Sequence, residues 1–169
     1  MFGRLQRLFR SLARAWPVAR GPKGSRSERD HRMISFVALL AEPLSLEAAY
    51  VAVAAAKAWD ADLGEGENEG ADGFAVGSAP LVMVQCRGRV FTVNCFDRPY
   101  VDDPQQAAEQ IADLRLRSLF ARHTAWISCD AFAVDESSDQ DVREAYRFCG
   151  RLLARLIPEN ALAVYVPDT

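Results

Sequence analysis

The spacing of apolar and polar positions changes several times along this chain, and each change marks an element. Residues 34–41 (ISFVALLA) form a nearly continuous apolar run of strand length, as expected for a strand covered on both faces. Glu42-Pro43 ends it, because proline cannot continue a ladder. Residues 46–59 are dominated by alanine, the best helix former, with Ser45 placed to cap and Glu47 in the first turn. Two strands are expected at 74–86 and 89–96, joined by a tight turn at Arg87-Gly88. That turn would put Val82, Val84, Phe91, Val93 and Cys95 on one face. Leu81, Met83, Gln85, Val90, Thr92 and Asn94 would share the other, more mixed face. A helix over 105–122 is expected to turn Ile111, Leu114 and Leu119 inward. A fourth strand lies within 123–134, chiefly 124–128.

The clearest helical period follows. Val142, Ala145, Tyr146, Cys149, Leu152, Leu153 and Leu156 recur at i, i+3, i+4 and i+7. Ser138 or Asp139 can cap that helix, and Pro158 stops it. A short strand, 161–166 (ALAVYV), closes the chain. The order β-α-β-β-α-β-α-β predicts an α+β domain: one mixed β-sheet with helices packed on it, around a ferredoxin-like core formed by the first six elements.

The first 32 residues read differently, as an arm and linker ahead of a single α+β domain at 33–169. On a helix, Phe2, Leu5, Leu8, Phe9, Leu12 and Trp16 fall in an arc of roughly 120°. Arg4, Arg7, Arg10 and Arg14 lie opposite them, and no acid precedes Glu28. A basic amphipathic helix with aromatic residues in its apolar face suits the surface of an anionic membrane or a partner protein. Arginines interrupt every apolar stretch, which excludes a secretory signal; the Arg-rich, acid-poor composition also matches a transit peptide. Residues 17–32 have the Pro, Gly, Ser and charge content of a linker. Alternatively the arm docks on the body or is a passive tail, and Met33 offers a second start that would make residues 1–32 an over-long reading frame.

Charge sharpens the contrast. The arm and linker hold nine Lys/Arg and two Asp/Glu, against eleven and twenty-one in the rest of the chain. So acidic a body does not suit nucleic acid, which requires a cationic face. Half the residues are hydrophobic, enough for a real core, and no apolar run approaches the ~18 residues of a membrane span. Cys86, Cys95, Cys129 and Cys149 form no CxxC pair and stand at no metal-ligand spacing from a histidine. Buried reduced thiols in a cytoplasmic protein are expected.

Candidate chemistry is sparse. His123 precedes a strand carrying Ser128, Cys129 and Asp130, so a hydrolase or transferase built on His123, Cys129 and Asp130 is conceivable. No nucleophile elbow surrounds any Ser or Cys, and residues 128–130 alternate faces. Asp97, Asp102 and Asp103 share a loop and could hold a divalent cation, although such residues more often cap the next helix. The acidic, glycine-rich stretch 60–73 reads as a solvated loop and lacks the ligand spacing of a calcium loop. Arg143, Arg147, Arg151 and Arg155 step by four along the last helix and form either a solvated face or a contact for an acidic protein or a phosphate. No cofactor or metal is expected.

Three phrases, FVALLAEP at 36–43, HTAWISC at 123–129 and NALAVYV at 160–166, resemble the uncharacterised bacterial domain-of-unknown-function family 4261. The resemblance spans the body from Met33 onward. It implies an α+β domain without an established enzyme activity and transfers no site residue. Together these features lead to the expectation of a non-enzymatic bacterial protein-interaction module with an unknown protein partner, cytoplasmic and able to sit peripherally on the inner membrane through residues 1–16. The rivals are the enzyme just described and a plain soluble domain with a functionless extension.

Overall fold

The computed structural model describes residues 31–65, 70–135 and 138–167. They form an α+β domain with a mixed seven-stranded sheet and four helices. The strands are β1 (His31–Leu40), β2 (Leu63–Glu65), β3 (Gly73–Ser78), β4 (Leu81–Cys86), β5 (Arg89–Phe96), β6 (Ala125–Asp135) and β7 (Ala161–Tyr165). The helices are α1 (Ala48–Trp59), α2 (Pro104–Ala108), α3 (Leu114–Ala121) and α4 (Asp139–Leu156). In space the strand order is β2-β3-β4-β5-β6-β1-β7, with only β2 and β3 parallel.

The expected single strand at 74–86 is two. The chain reverses at Ala79-Pro80, and β3 and β4 pair from Gly73↔Cys86 to Ser78↔Leu81. This extra reversal changes the direction of β5, which runs parallel to β1 with β6 paired antiparallel between them. The ferredoxin-like order is therefore not formed: β5 adjoins β6 instead of lying next to β1. The Arg87-Gly88 turn forms as expected. Both residues have positive φ, 48° and 80°, which matches the right-handed twist of a two-residue hairpin. It sets the expected register, and Val82, Val84, Phe91, Val93 and Cys95 all enter the main core.

That core lies between one face of the sheet and helices α1 and α4. The apolar stripe of α4 buries Ala145, Cys149, Leu152, Leu153 and Leu156. Ser138 accepts the Asp141 N–H at 3.2 Å, and Asp139 and Asp141 occupy the positive end of the helix dipole. Alanines let α1 lie close to the sheet, where it buries Val51, Ala52, Ala54, Ala55 and Trp59. Ser45 does not cap it: α1 starts after Glu47, because Leu46 and Glu47 are drawn to the end of the β3–β4 hairpin. The Ala79 N–H donates to the Leu46 carbonyl at 3.1 Å, and Glu47 bridges Ser78.

Three further expectations change. The helix at 105–122 is broken into α2 and α3, with Asp103 and Asp113 accepting main-chain N–H groups at the two starts. Leu114 then stands outward, 72% exposed. Part of the acidic stretch 60–73 forms β2, and the carboxylates of Asp62 and Asp72 accept main-chain N–H groups on either side of it. Strand β1 begins at His31, so the last two residues of the expected linker belong to the sheet.

Candidate functional site

His123 closes the loop ahead of β6, and both its ring nitrogens are occupied. Nε2 accepts the Tyr100 N–H at 2.8 Å, while Nδ1 faces the Phe120 carbonyl, which can only accept. The ring is therefore the neutral Nδ1–H tautomer, tying the loop to the end of α3. Its exposure is 2%. No lone pair remains to act as a base.

Cys129 and Asp130 point to opposite faces of β6. Cys129 enters the helix-covered core. There the hydrogen bond with the Cys149 thiol, reinforced by burial, holds the Cys129 thiol well above its ordinary pKa and suppresses the thiolate. Asp130 lies on the other face, and the five residue steps from Ala125 to Asp130 span about 17 Å. His123, Cys129 and Asp130 thus form no catalytic constellation. All four cysteines are free and buried.

Asp130 instead centres a polar knot across three strands. Ser35 Oγ donates to Oδ1 at 2.5 Å; Asn94 Nδ2 and Ser128 Oγ donate to Oδ2 at 2.6 and 2.9 Å. Asn94 also reaches Ser128 Oγ at 3.1 Å and Thr92 Oγ1 at 3.3 Å. Burial pushes the Asp130 carboxyl above the ordinary carboxylate range, and the hydrogen bonds from Ser35, Ser128, Asn94 and Thr92 work against that shift. The sequence carried a faint trace of this knot: Ser35 interrupts an apolar run, and Thr92 and Asn94 share the mixed strand face.

The acidic loop does not make a metal centre. Asp103 caps α2 by accepting the Gln106 N–H at 3.0 Å. Among the described residues no group of three or more His, Cys, Asp or Glu is placed to hold a cation. None of the described helices is long and apolar enough to cross a membrane. The arm residues Phe2, Arg4, Leu5, Arg7, Leu8, Phe9, Arg10, Leu12, Arg14 and Trp16 lie outside the described residues.

Among the described residues, several exposed large apolar side chains gather at the β7 edge. Among the described residues β7 pairs only with β1, and its sequence ALAVY carries no charge. Val164 is 52% exposed, and Tyr165 and Val166 are also exposed. On the sheet face away from α1 and α4, Tyr165 meets Tyr100 edge-on at 5.9 Å, and Tyr100 packs on Trp126 at 5.3 Å. Helix α3 lies against β7, buries no residue fully, and presents Leu114 and Leu116 to solvent. An uncharged edge has free main-chain donors and acceptors for another strand. Nothing in the sequence of residues 161–166 marks them as an edge, because their neighbour is decided by the sheet.

The described residues define an α+β domain with an apolar sheet edge, and they do not bring His123, Cys129 and Asp130 together. Compared with known proteins, the chain matches no family model, no curated protein and no solved structure.

Proposed function

We propose that this chain is a non-enzymatic protein-interaction module whose partner adds an extended segment along β7, in the mode of strand addition. The observation that carries this reading is the uncharged edge strand with Val164, Tyr165 and Val166 exposed beside the outward Leu114 and Leu116 of α3. Main-chain hydrogen bonds would supply affinity, and the apolar side chains on either side of the edge would supply selectivity. The resemblance to family 4261 belongs to this reading and adds no activity to it.

The test is affinity capture with the full chain and with a Val164→Lys/Val166→Lys variant, followed by hydrogen exchange on the recovered complex. The expected result is a protein retained by the wild type and lost by the variant, with the β7 amides gaining protection when it binds. A partner that the variant retains, or protection confined to another surface, overturns the reading.

The basic arm motivates a second element of the proposal: recruitment of a cytoplasmic protein to an anionic membrane surface through residues 1–16. Co-sedimentation with anionic liposomes, comparing the full chain with one starting at Met33, reads this separately. Salt-sensitive binding by the full chain alone is expected; equal behaviour of the two chains removes the arm from the function.

A further inference from the structure

A cleft of about 450 Å³ opens where α4 passes the C-terminal end of α1 and the β4–β5 turn. Arg87, Arg89, Arg147 and Arg151 line it, together with Trp59 and Phe148. Four guanidinium groups around one opening need an explanation in a body so rich in acid. Two of them have one. Arg87 Nε donates to Asp72 at 3.1 Å, and an Arg87 Nη donates to the Asp60 carbonyl at 2.9 Å. Arg89 is paired with Asp141 and reaches Glu144 at 3.0 Å. These contacts fix two walls of the cleft.

Arg147 and Arg151 have no such partner among the described residues. They are exposed and stand one helical turn apart on α4, where like charges at i, i+4 repel. Glu144, on the same wall, is held by Arg89 and by Gln140 Nε2 at 3.1 Å, and its single negative charge offsets only part of the charge of the two arginines. The floor is aromatic. Trp59 Nε1 donates to the Phe148 carbonyl at 3.0 Å, the Trp59 and Phe148 rings lie 5.2 Å apart, and Phe148 stacks on Phe91 at 5.6 Å.

From this geometry we infer that the cleft binds a small phosphorylated organic molecule, with Arg147 and Arg151 holding the phosphate and the aromatic floor meeting the organic part. A carboxylate is satisfied by one bidentate guanidinium. Two adjacent free guanidiniums, each a planar fork of donors, match an anion with three or more acceptor oxygens. The volume lies within the usual range for small-molecule clefts and leaves room for a group beyond the phosphate. A nucleic-acid strand is a poor fit, since it would require a continuous cationic track along the acidic body. The cleft is separated from β7 by β6 and β1, so this site stands independently of the strand-addition reading.

Isothermal titration of the full chain with phenyl phosphate, inorganic phosphate and benzoate tests the inference. Saturable binding of phenyl phosphate is expected, at least tenfold tighter than inorganic phosphate or benzoate. Arg147→Gln and Arg151→Gln should each weaken it at least tenfold. Arg143→Gln, on the same helix and paired with Asp139 at 3.9 Å outside the cleft, should leave it unchanged. Unfolding midpoints equal to wild type show that the exposed-site variants remain folded. No saturation, equal affinity for benzoate or inorganic phosphate, or equal binding by the Arg147 and Arg151 variants overturns it.

Discussion

Ser35 on β1 donates its hydroxyl to Asp130 on β6 at 2.5 Å, across a pair of residues aligned in the strand register. The bond lies within a knot where Asp130 is buried and its carboxyl pKa is raised by desolvation. A raised folded pKa means that the folded chain holds the proton more tightly than the unfolded chain. Stability from this group is therefore fully present below the unfolded pKa and is lost as pH rises through the folded value. Asp130→Asn carries no such charge. Thermal unfolding of both chains from pH 4 to pH 8 should show wild-type stability falling relative to the variant as pH rises. A constant difference across that range would contradict the burial argument.

Replacing His123 tests its role as a tie. Alanine there leaves the Tyr100 N–H and the Phe120 carbonyl without their partner in a buried setting. Each lost partner costs about 1–3 kcal/mol, so His123→Ala should lower the unfolding free energy by about 2–6 kcal/mol. Urea denaturation reads this directly. An unchanged midpoint would mean that water satisfies both groups.

Gly73 permits the close approach of β3 to β4. A Cβ built there would sit 2.0 Å from the Gln85 carbonyl oxygen, at a φ of 152°. The neighbouring backbone must move to admit alanine, so Gly73→Ala should destabilise by about 1–3 kcal/mol and loosen the β3–β4 ladder. Faster hydrogen exchange at the Gly73↔Cys86 end of the hairpin, with little change in β6, is the expected pattern.

Ser138 gives a milder and more local effect. Its hydroxyl accepts the Asp141 N–H at 3.2 Å at the start of α4. Ser138→Ala should cost about 1 kcal/mol, and Ser138→Asp should retain most of the stability, because either oxygen can cap the helix. Chemical denaturation of the two variants side by side distinguishes a cap from a passive surface residue.

Local sequence was sufficient wherever an element could be specified by its own residues. The i, i+3, i+4 spacing of Ala145, Cys149, Leu152 and Leu156, with Ser138 before it and Pro158 after it, determined α4 and its buried face. Arg87-Gly88 determined a hairpin and, through the two-residue period of a strand, which side chains of β4 and β5 enter the core. The reversal at Ala79-Pro80 was signalled by Gly77, Ser78 and Pro80, but the apolar residues on both sides made 74–86 resemble one strand. One missed turn was enough to misplace β5, since every reversal inverts the direction of the strands that follow.

The tertiary structure decided the remainder, for a physical reason. A strand presents alternating faces whatever lies beside it, so its own residues do not name its neighbour. Ser35 and Asp130 are 95 positions apart and meet only because β1 pairs with β6. His123 looked like a base until the Tyr100 amide and the Phe120 carbonyl were brought to its two nitrogens. Likewise ALAVY became an edge because β1 is its only neighbour among the described residues, and Arg147 and Arg151 of α4 became the wall of a cleft because α1 and the β4–β5 turn close around them. Periodicity set what each segment could be; long-range pairing set what each side chain could meet.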